Sequence, residues 1–317
     1  MMLGTCANVI SRIVTLPNAV AEAKGRMGKV INELKGIIFA VLAVVIIIGA
    51  LFVYSGIWPP LVVVESGSME HSDTTSYIGI IDTGDMVLVQ KATSYDQLDT
   101  YVGSFSSGHK SFGDYGDVII YQRYGSSQYT PVIHRAIIYL EYNATSSRFD
   151  APSLADFPSD RWGHDGVSDG VWWSMTGSLE IYHVGYRDQT IRIPLDDLVK
   201  YKHGGLITKG DHNDLIDQNS VAPICREPVL QGWLVGVAKG ELPWFGLLKL
   251  WVSGQFTPYG PGVHANSWTD MFICIFFIIA IPVGLDVATV LMKRKGIDIW
   301  ARPRKWFGRL KFWKKKT

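Results

Sequence analysis

The sequence predicts a mainly β fold, a β-rich outer domain flanked by two transmembrane α-helices. Three observations lead there. Residues 37–57 and 268–292 are apolar runs long enough to cross a bilayer. Between them, residues 58–267 hold short apolar runs punctuated by Gly, Asp and Ser, with little 3.6-residue periodicity. Charge is segregated as well: the 317-residue chain has a net charge of +1, yet residues 58–267 carry 14 basic against 24 acidic residues. Both ends are basic, so the distribution is that of a membrane protein, and the acidic middle excludes a nucleic-acid binder.

Residues 1–36 form an N-terminal segment with Arg12, Lys24, Arg26, Lys29 and Lys35. The run 37–57 contains no charge and, at ~1.5 Å per residue, covers the ~30 Å hydrocarbon core. A cleaved secretory signal is the alternative. Thirty-six residues precede the run, it exceeds an ordinary signal core, and no A-x-A-like site follows, so it reads as an uncleaved anchor. The run 268–292 includes Pro282 and Asp286. A central Asp costs ~2.5–3.5 kcal/mol on insertion scales, but Asp286 lies near the basic flank Lys293–Lys295, where the penalty falls. The tail 293–317 mixes cations with Trp306, Phe307, Phe312 and Trp313. It reads either as a leaflet-bound segment or as a solvated tail. The positive-inside rule puts both termini in the cytoplasm and the acidic middle outside.

In the middle, strands are expected at Leu61–Val64, Met86–Val89, Val118–Tyr121, Val132–Leu140, Leu179–Val184, Thr190–Ile193, Leu206–Thr208 and Leu234–Val237. Two stretches, 91–115 and 142–177, read as inserted surface loops or an excursion from the sheet. Asn143-Ala144-Thr145 is a glycosylation sequon, a tripeptide common by chance. Pro243, Trp244, Phe245, Leu247, Leu248 and Trp251 cluster near the domain end, as core or as a surface resting on lipid. The cysteines Cys6, Cys225 and Cys274 fall in separate regions, leaving one in the middle, which allows neither an internal disulfide nor a Cys-pair metal site.

Ser66-Gly67-Ser68-Met69-Glu70 follows the first apolar run closely, which would hold a Ser68 hydroxyl near the bilayer surface. A nucleophilic Ser needs a base, a group orienting that base, and donors for an oxyanion. Of eight His, His134 stands out by lying in an apolar strand. Period-2 alternation puts it on one face with Val132 and Ala136, and Ile133, Arg135 and Ile137 on the other. Alone, such a His reads as structural. Acids come from Thr208–Asp217, a strand end followed by a turn with Asp211, Asp214 and Asp217; taken singly these read as turn residues. Asp85, in a turn entering the strand at 86–89, reads the same way.

The order of segments says more. Ser-Gly-Ser-Met-Glu at 66–70, Gly-Asp-Met-Val-Leu-Val at 84–89, Gly-Asp-Val-Ile-Ile-Tyr at 116–121, Ile-His-Arg-Ala at 133–136 and Lys-Gly-Asp-His-Asn at 209–213 resemble type I signal peptidases. The resemblance is to the archaeal and endoplasmic-reticulum branch, since His134 stands where bacterial members carry Lys. Val235–Gly246 resembles that branch's closing segment. About half of residues 58–250 is covered. His71 replaces the family's usual Pro, His212 its usual Asn, and the insertions are long.

The resemblance implies a signal-peptidase-like outer domain in which Ser68 is the nucleophile, His134 the general base and Asp217 the orienting acid. Asp211 is the second candidate for that last role, and Asp214 is expected to face solvent. An imidazole of ordinary pKa, ~6.5, serves as a base at neutral pH but needs a carboxylate to fix its tautomer. Oxyanion donors would be the Ser68 N–H and the Ser66 hydroxyl. The substrate, an extended segment after a signal peptide's apolar core, would add as a strand beside Leu61, Val63 and Glu65, with Met69 lining a pocket for a small residue. The partners implied are signal-peptide-bearing preproteins and the lipid bilayer of a cell or endoplasmic-reticulum membrane, with an association with translocation machinery left open. No cofactor or metal is expected. The alternative is a membrane-anchored binding or adhesion protein contacting its partner through Trp162, Trp172 and Trp173; it leaves the order of Ser68, His134 and Asp217 without a reason. A non-catalytic subunit of a processing complex would be expected to lack one of the reacting groups.

Overall fold

The apolar run expected at 37–57 forms helix α1, Leu34–Ser55. The computed structural model describes residues 34–165, 169–254 and 263–295. The chain divides after Pro60 into two compact units, and α1 is the described element of the first. The N-terminal residues 1–33 and most of the basic tail, 296–317, lie outside the described residues.

The second unit begins with strands β1 (Leu61–Val63) and β2 (Met86–Lys91), followed by a short helix α2 (Tyr101–Ser104). Strands β3 (Lys110–Ser111), β4 (Asp114–Tyr115), β5 (Val118–Tyr121), β6 (Val132–Asn143), β7 (Arg148–Asp150), β8 (Trp162–His164), β9 (Ser178–Val184) and β10 (Gln189–Pro194) come next. Helix α3 (Leu195–Leu198), strands β11 (Gly205–Lys209) and β12 (Leu234–Leu242), and helices α4 (Leu247–Val252) and α5 (Ala265–Arg294) complete it. Each of the eight expected apolar runs lies in a strand, apart from Val64, which falls just past β1.

Seven strands make one antiparallel sheet in the order β1-β2-β12-β5-β6-β11, with β7 pairing the end of β6. Strand β6 is its spine. Ile119 of β5 lies opposite His134, and Thr208 of β11 opposite Ala136, with an irregularity between Ile207 and Thr208. Residues from His134 to Ile138 are all buried, so β6 is covered on both faces and reads as an almost continuous apolar run instead of a clean alternation.

Among the described residues the fold is mixed helix and sheet, 34% helical and 26% strand, and not mainly β. The difference arises because α1 and α5 alone span 22 and 30 residues, both long and apolar enough to cross a membrane. Helix α5 begins three residues before the expected 268–292 boundary and runs two past it, continuing through Pro282.

The two stretches read as insertions are built into the protein. Residues 91–115 carry α2 and the β3-β4 hairpin. Residues 142–177 supply β8, which joins β9 and β10 in a second sheet. Phe149, Leu154, Phe157, Trp162 and Met175 from this stretch are buried with Ile137, Leu179 and Ile191 in one core, each large side chain contributing about 1.5–3 kcal/mol by burial. Trp162 is therefore core and Trp172 packs partly against it, leaving Trp173 as the exposed indole of the three. A second core gathers Ile119, Tyr121, Ala136, Val229 and Val237 on the His134 side. The aromatic cluster near the domain end divides: Trp244 and Leu247 are buried against Met271 of α5, whereas Trp251 and Val252 of α4 are exposed.

Candidate functional site

Pairing places three polar side chains on one face of the sheet. His134 sits opposite Ile119, and Tyr121, two residues on, shares Ile119's face. Thr208 sits opposite Ala136, two residues from His134. Tyr121, His134 and Thr208 therefore project together from β5, β6 and β11. Their common target is Asp217, fully buried in the segment after β11 and tied back to that strand by its N–H, which donates to Thr208 O at 2.8 Å.

Asp217 accepts the Tyr121 hydroxyl at 2.7 Å and the Thr208 hydroxyl at 2.7 Å. Both of its oxygens lie 2.7 Å from His134 Nδ1. An ionised carboxylate only accepts hydrogen bonds, so with Asp217 ionised the His134 proton belongs on Nδ1 and the Nε2 lone pair faces outward. His134 Nε2 lies 2.9 Å from Ser68 Oγ. Ser68, His134 and Asp217 thus form one continuous hydrogen-bonded chain. Burial beside Asp217 pushes the Tyr121 hydroxyl well above its ordinary pKa, so it stays a donor.

The Ser68 turn is held from the other side. His212 N–H donates to Ser68 O at 2.9 Å. A Cβ on Gly210 would lie 2.5 Å from Ser68 O and 2.9 Å from His134 Nε2, so the close approach of this turn requires glycine. The Ser68 N–H has no acceptor among the described residues, and Ser66 Oγ, exposed, lies 3.4 Å from Ser68 Oγ.

Asp211 is not beside His134. It receives Arg135 Nε at 2.8 Å and an Arg135 terminal nitrogen at 2.5 Å, and His71 Nε2 lies 2.9 Å away. Arg135 follows His134 in β6 and so leaves the strand on the opposite face; its guanidinium also donates to the carbonyls of Ser111, Phe112, Tyr115 and Gly116. Burial opposes ionisation of Asp211, yet the guanidinium holds its carboxyl well below the ordinary range. Between these acids, burial lowers Lys209 to about 8, and its ammonium donates to the carbonyls of Gly210 and Asp211. Asp214 is exposed beside Arg187.

His71 and His212 lie together: His71 stacks on Tyr186 at 4.4 Å, and the Tyr186 hydroxyl is 2.8 Å from His212 Nδ1. Strand β1 is the sheet edge, with Leu61 and Val63 half-buried and Glu65 exposed, 3.4 Å from Lys249. Met69 is core, 1% exposed, and is not an open pocket wall. Tyr121 and Thr208 were not singled out from sequence, since their role depends on pairing register. No family model matches the chain, and no curated protein matches it.

Chemically, the chain from Ser68 to Asp217 can move a proton from a hydroxyl to an imidazole whose positive charge is stabilised by a buried carboxylate. That is the requirement for an activated serine nucleophile.

Proposed function

We propose that the protein is a membrane-bound serine endopeptidase that removes signal peptides from exported preproteins after small residues. The observation that carries this reading is the unbroken chain Ser68 Oγ, His134 Nε2, His134 Nδ1, Asp217 at 2.9 and 2.7 Å. In this reading Ser68 Oγ attacks the scissile carbonyl as His134 Nε2 takes its proton. Asp217 stabilises the imidazolium, and the Ser68 N–H, with the Ser66 hydroxyl, receives the oxyanion. His134 then protonates the leaving amine, and water, activated by the same imidazole, releases the acyl group. Asp211 is a positioning residue that holds its turn through Arg135. Substrate pairs as an added strand along the free edge of β1, beside Leu61, Val63 and Glu65.

The domain has a signal-peptidase-like arrangement outside the membrane, with α1 and α5 as spans and both termini cytoplasmic. The exposed Trp251 and Val252 rest at the lipid interface. The test is cleavage of a preprotein in liposomes by the wild type, Ser68→Ala and His134→Ala. Trimming after a small residue by the wild type alone supports the reading. Cleavage by Ser68→Ala at the wild-type rate refutes it.

A further inference from the structure

Away from the Ser68 chain, three other side chains converge. Glu70, Asp82 and His264 are buried, and one ligand atom of each lies within 4.8 Å of the others. Glu70 uses Oε1 to accept the Thr83 hydroxyl at 2.9 Å, leaving Oε2 toward His264 Nε2 at 3.4 Å. Asp82 uses Oδ2 to accept the Tyr77 N–H at 2.8 Å, and its buried Oδ1 makes no hydrogen bond. His264, 6% exposed, directs at this group an Nε2 that likewise makes no hydrogen bond. Asp82 and His264 are therefore each enclosed with one lone pair unspent, and buried polar atoms of that kind are rarely left so.

The charge around them is one-sided. Asp85 is buried next to Asp82, and Glu241 lies near with a buried Oε2 that has no partner. No lysine or arginine forms an ion pair with Glu70, Asp82, Asp85 or Glu241 among the described residues. The one other cluster of this kind among the described residues, Asp99, His109 and Asp117, differs on this point, because Lys239 Nζ lies 3.3 Å from Asp117 Oδ1 and supplies the cation.

We propose that Glu70, Asp82 and His264 bind a first-row divalent cation, of which Zn²⁺ and Mn²⁺ are the best matched. One imidazole and two carboxylates suit such an ion, whereas Ca²⁺ takes six to eight oxygens. Coordination at the about 2.0–2.2 Å that Zn²⁺ requires would draw the three atoms closer together than the 4.8 Å within which they lie. The site is structural in position. Glu70 is two residues from Ser68, Asp82 lies in the turn before β2, and His264 immediately precedes α5. The ion ties the serine turn to the start of the second membrane-class helix, and the inference does not depend on the peptidase reading.

The experiment uses the full chain, without a histidine tag, in detergent. It is stripped with EDTA, loaded with Zn²⁺ or Mn²⁺ alone and desalted; metal content is read by mass spectrometry and thermal unfolding is followed with and without the ion. The wild type and His109→Ala should retain about one ion per chain and melt higher with it, while His264→Ala and Glu70→Gln/Asp82→Asn bind at least ten-fold more weakly. Zn K-edge absorption of the wild type, which needs no variant to fold, should show one imidazole among oxygen ligands. No ion above background, full retention by His264→Ala, or two or more imidazoles at the zinc would each overturn the assignment.

Discussion

Replacing Asp217 with Asn tests the serine reading most sharply, because the change keeps the shape and removes the charge. Asp217 accepts three side-chain donors at 2.7 Å, from His134, Tyr121 and Thr208. An amide offers one oxygen and two N–H donors, so at least one neighbour meets a donor where it had an acceptor. If that neighbour is His134, the imidazole turns to the other tautomer, with its proton on Nε2 and no lone pair for Ser68. In a serine protease the equivalent change lowers kcat by about 10⁴, or about 5.4 kcal/mol of barrier. A loss of about 10³–10⁴ in cleavage rate is expected here. Stability should fall far less, by the about 1–3 kcal/mol of an unsatisfied buried group. Single-turnover cleavage of a preprotein in liposomes, beside thermal unfolding of the same samples, separates the two. A folded Asp217→Asn protein cleaving within ten-fold of wild type, while Ser68→Ala is inert, would refute the reasoning.

Arg135→Met leaves Asp211 charged and buried with His71 as its remaining side-chain partner, so unfolding free energy should drop by about 3–5 kcal/mol in denaturant titration. Gly210→Ala drives a Cβ toward Ser68 O and His134 Nε2; cleavage should fall at least ten-fold, with about 1–3 kcal/mol of destabilisation. Lys209, lowered to about 8 by burial, binds fewer protons folded than unfolded between pH 8 and its ordinary value of 10.5. Stability from this group therefore rises with pH across that window. The wild type should gain on Lys209→Met by about 2 kcal/mol from pH 8 to 10 in equilibrium unfolding, and a gap that stays constant would contradict the shift.

Much of the candidate site was legible before any coordinates. The order of the Ser68, His134 and Asp217 segments carried the chemistry, and strand alternation separated His134 from Arg135. What alternation lacks is register. Tyr121 and Thr208 reach Asp217 only because β5 and β11 pair with β6 at particular residues, which no single strand encodes. For the same reason Arg135 had no assigned partner, and Asp211 stayed open as an alternative to Asp217. The stretch 142–177 misled because its Phe149, Leu154, Phe157, Trp162 and Met175 follow no period. They fill the core from two three-residue strands, a short helical turn and loops, too short for spacing to carry a signal. The two membrane-class helices were visible as apolar runs, but their ends shifted because polar residues such as Asn266 extend α5 beyond the apolar stretch.

His134 and Arg135 are neighbours on β6 that face opposite ways, each with its own buried aspartate. A one-residue slip of β6 would exchange them, thrusting a guanidinium at Asp217, Tyr121 and Thr208 and an imidazole into the ring of carbonyls that Arg135 fills. No mis-registered molecule can be half right. The strand proofreads its own alignment, so under the serine-nucleophile proposal the titre of molecules with a reactive Ser68 in a partly refolded sample should equal the titre of correctly threaded sheets.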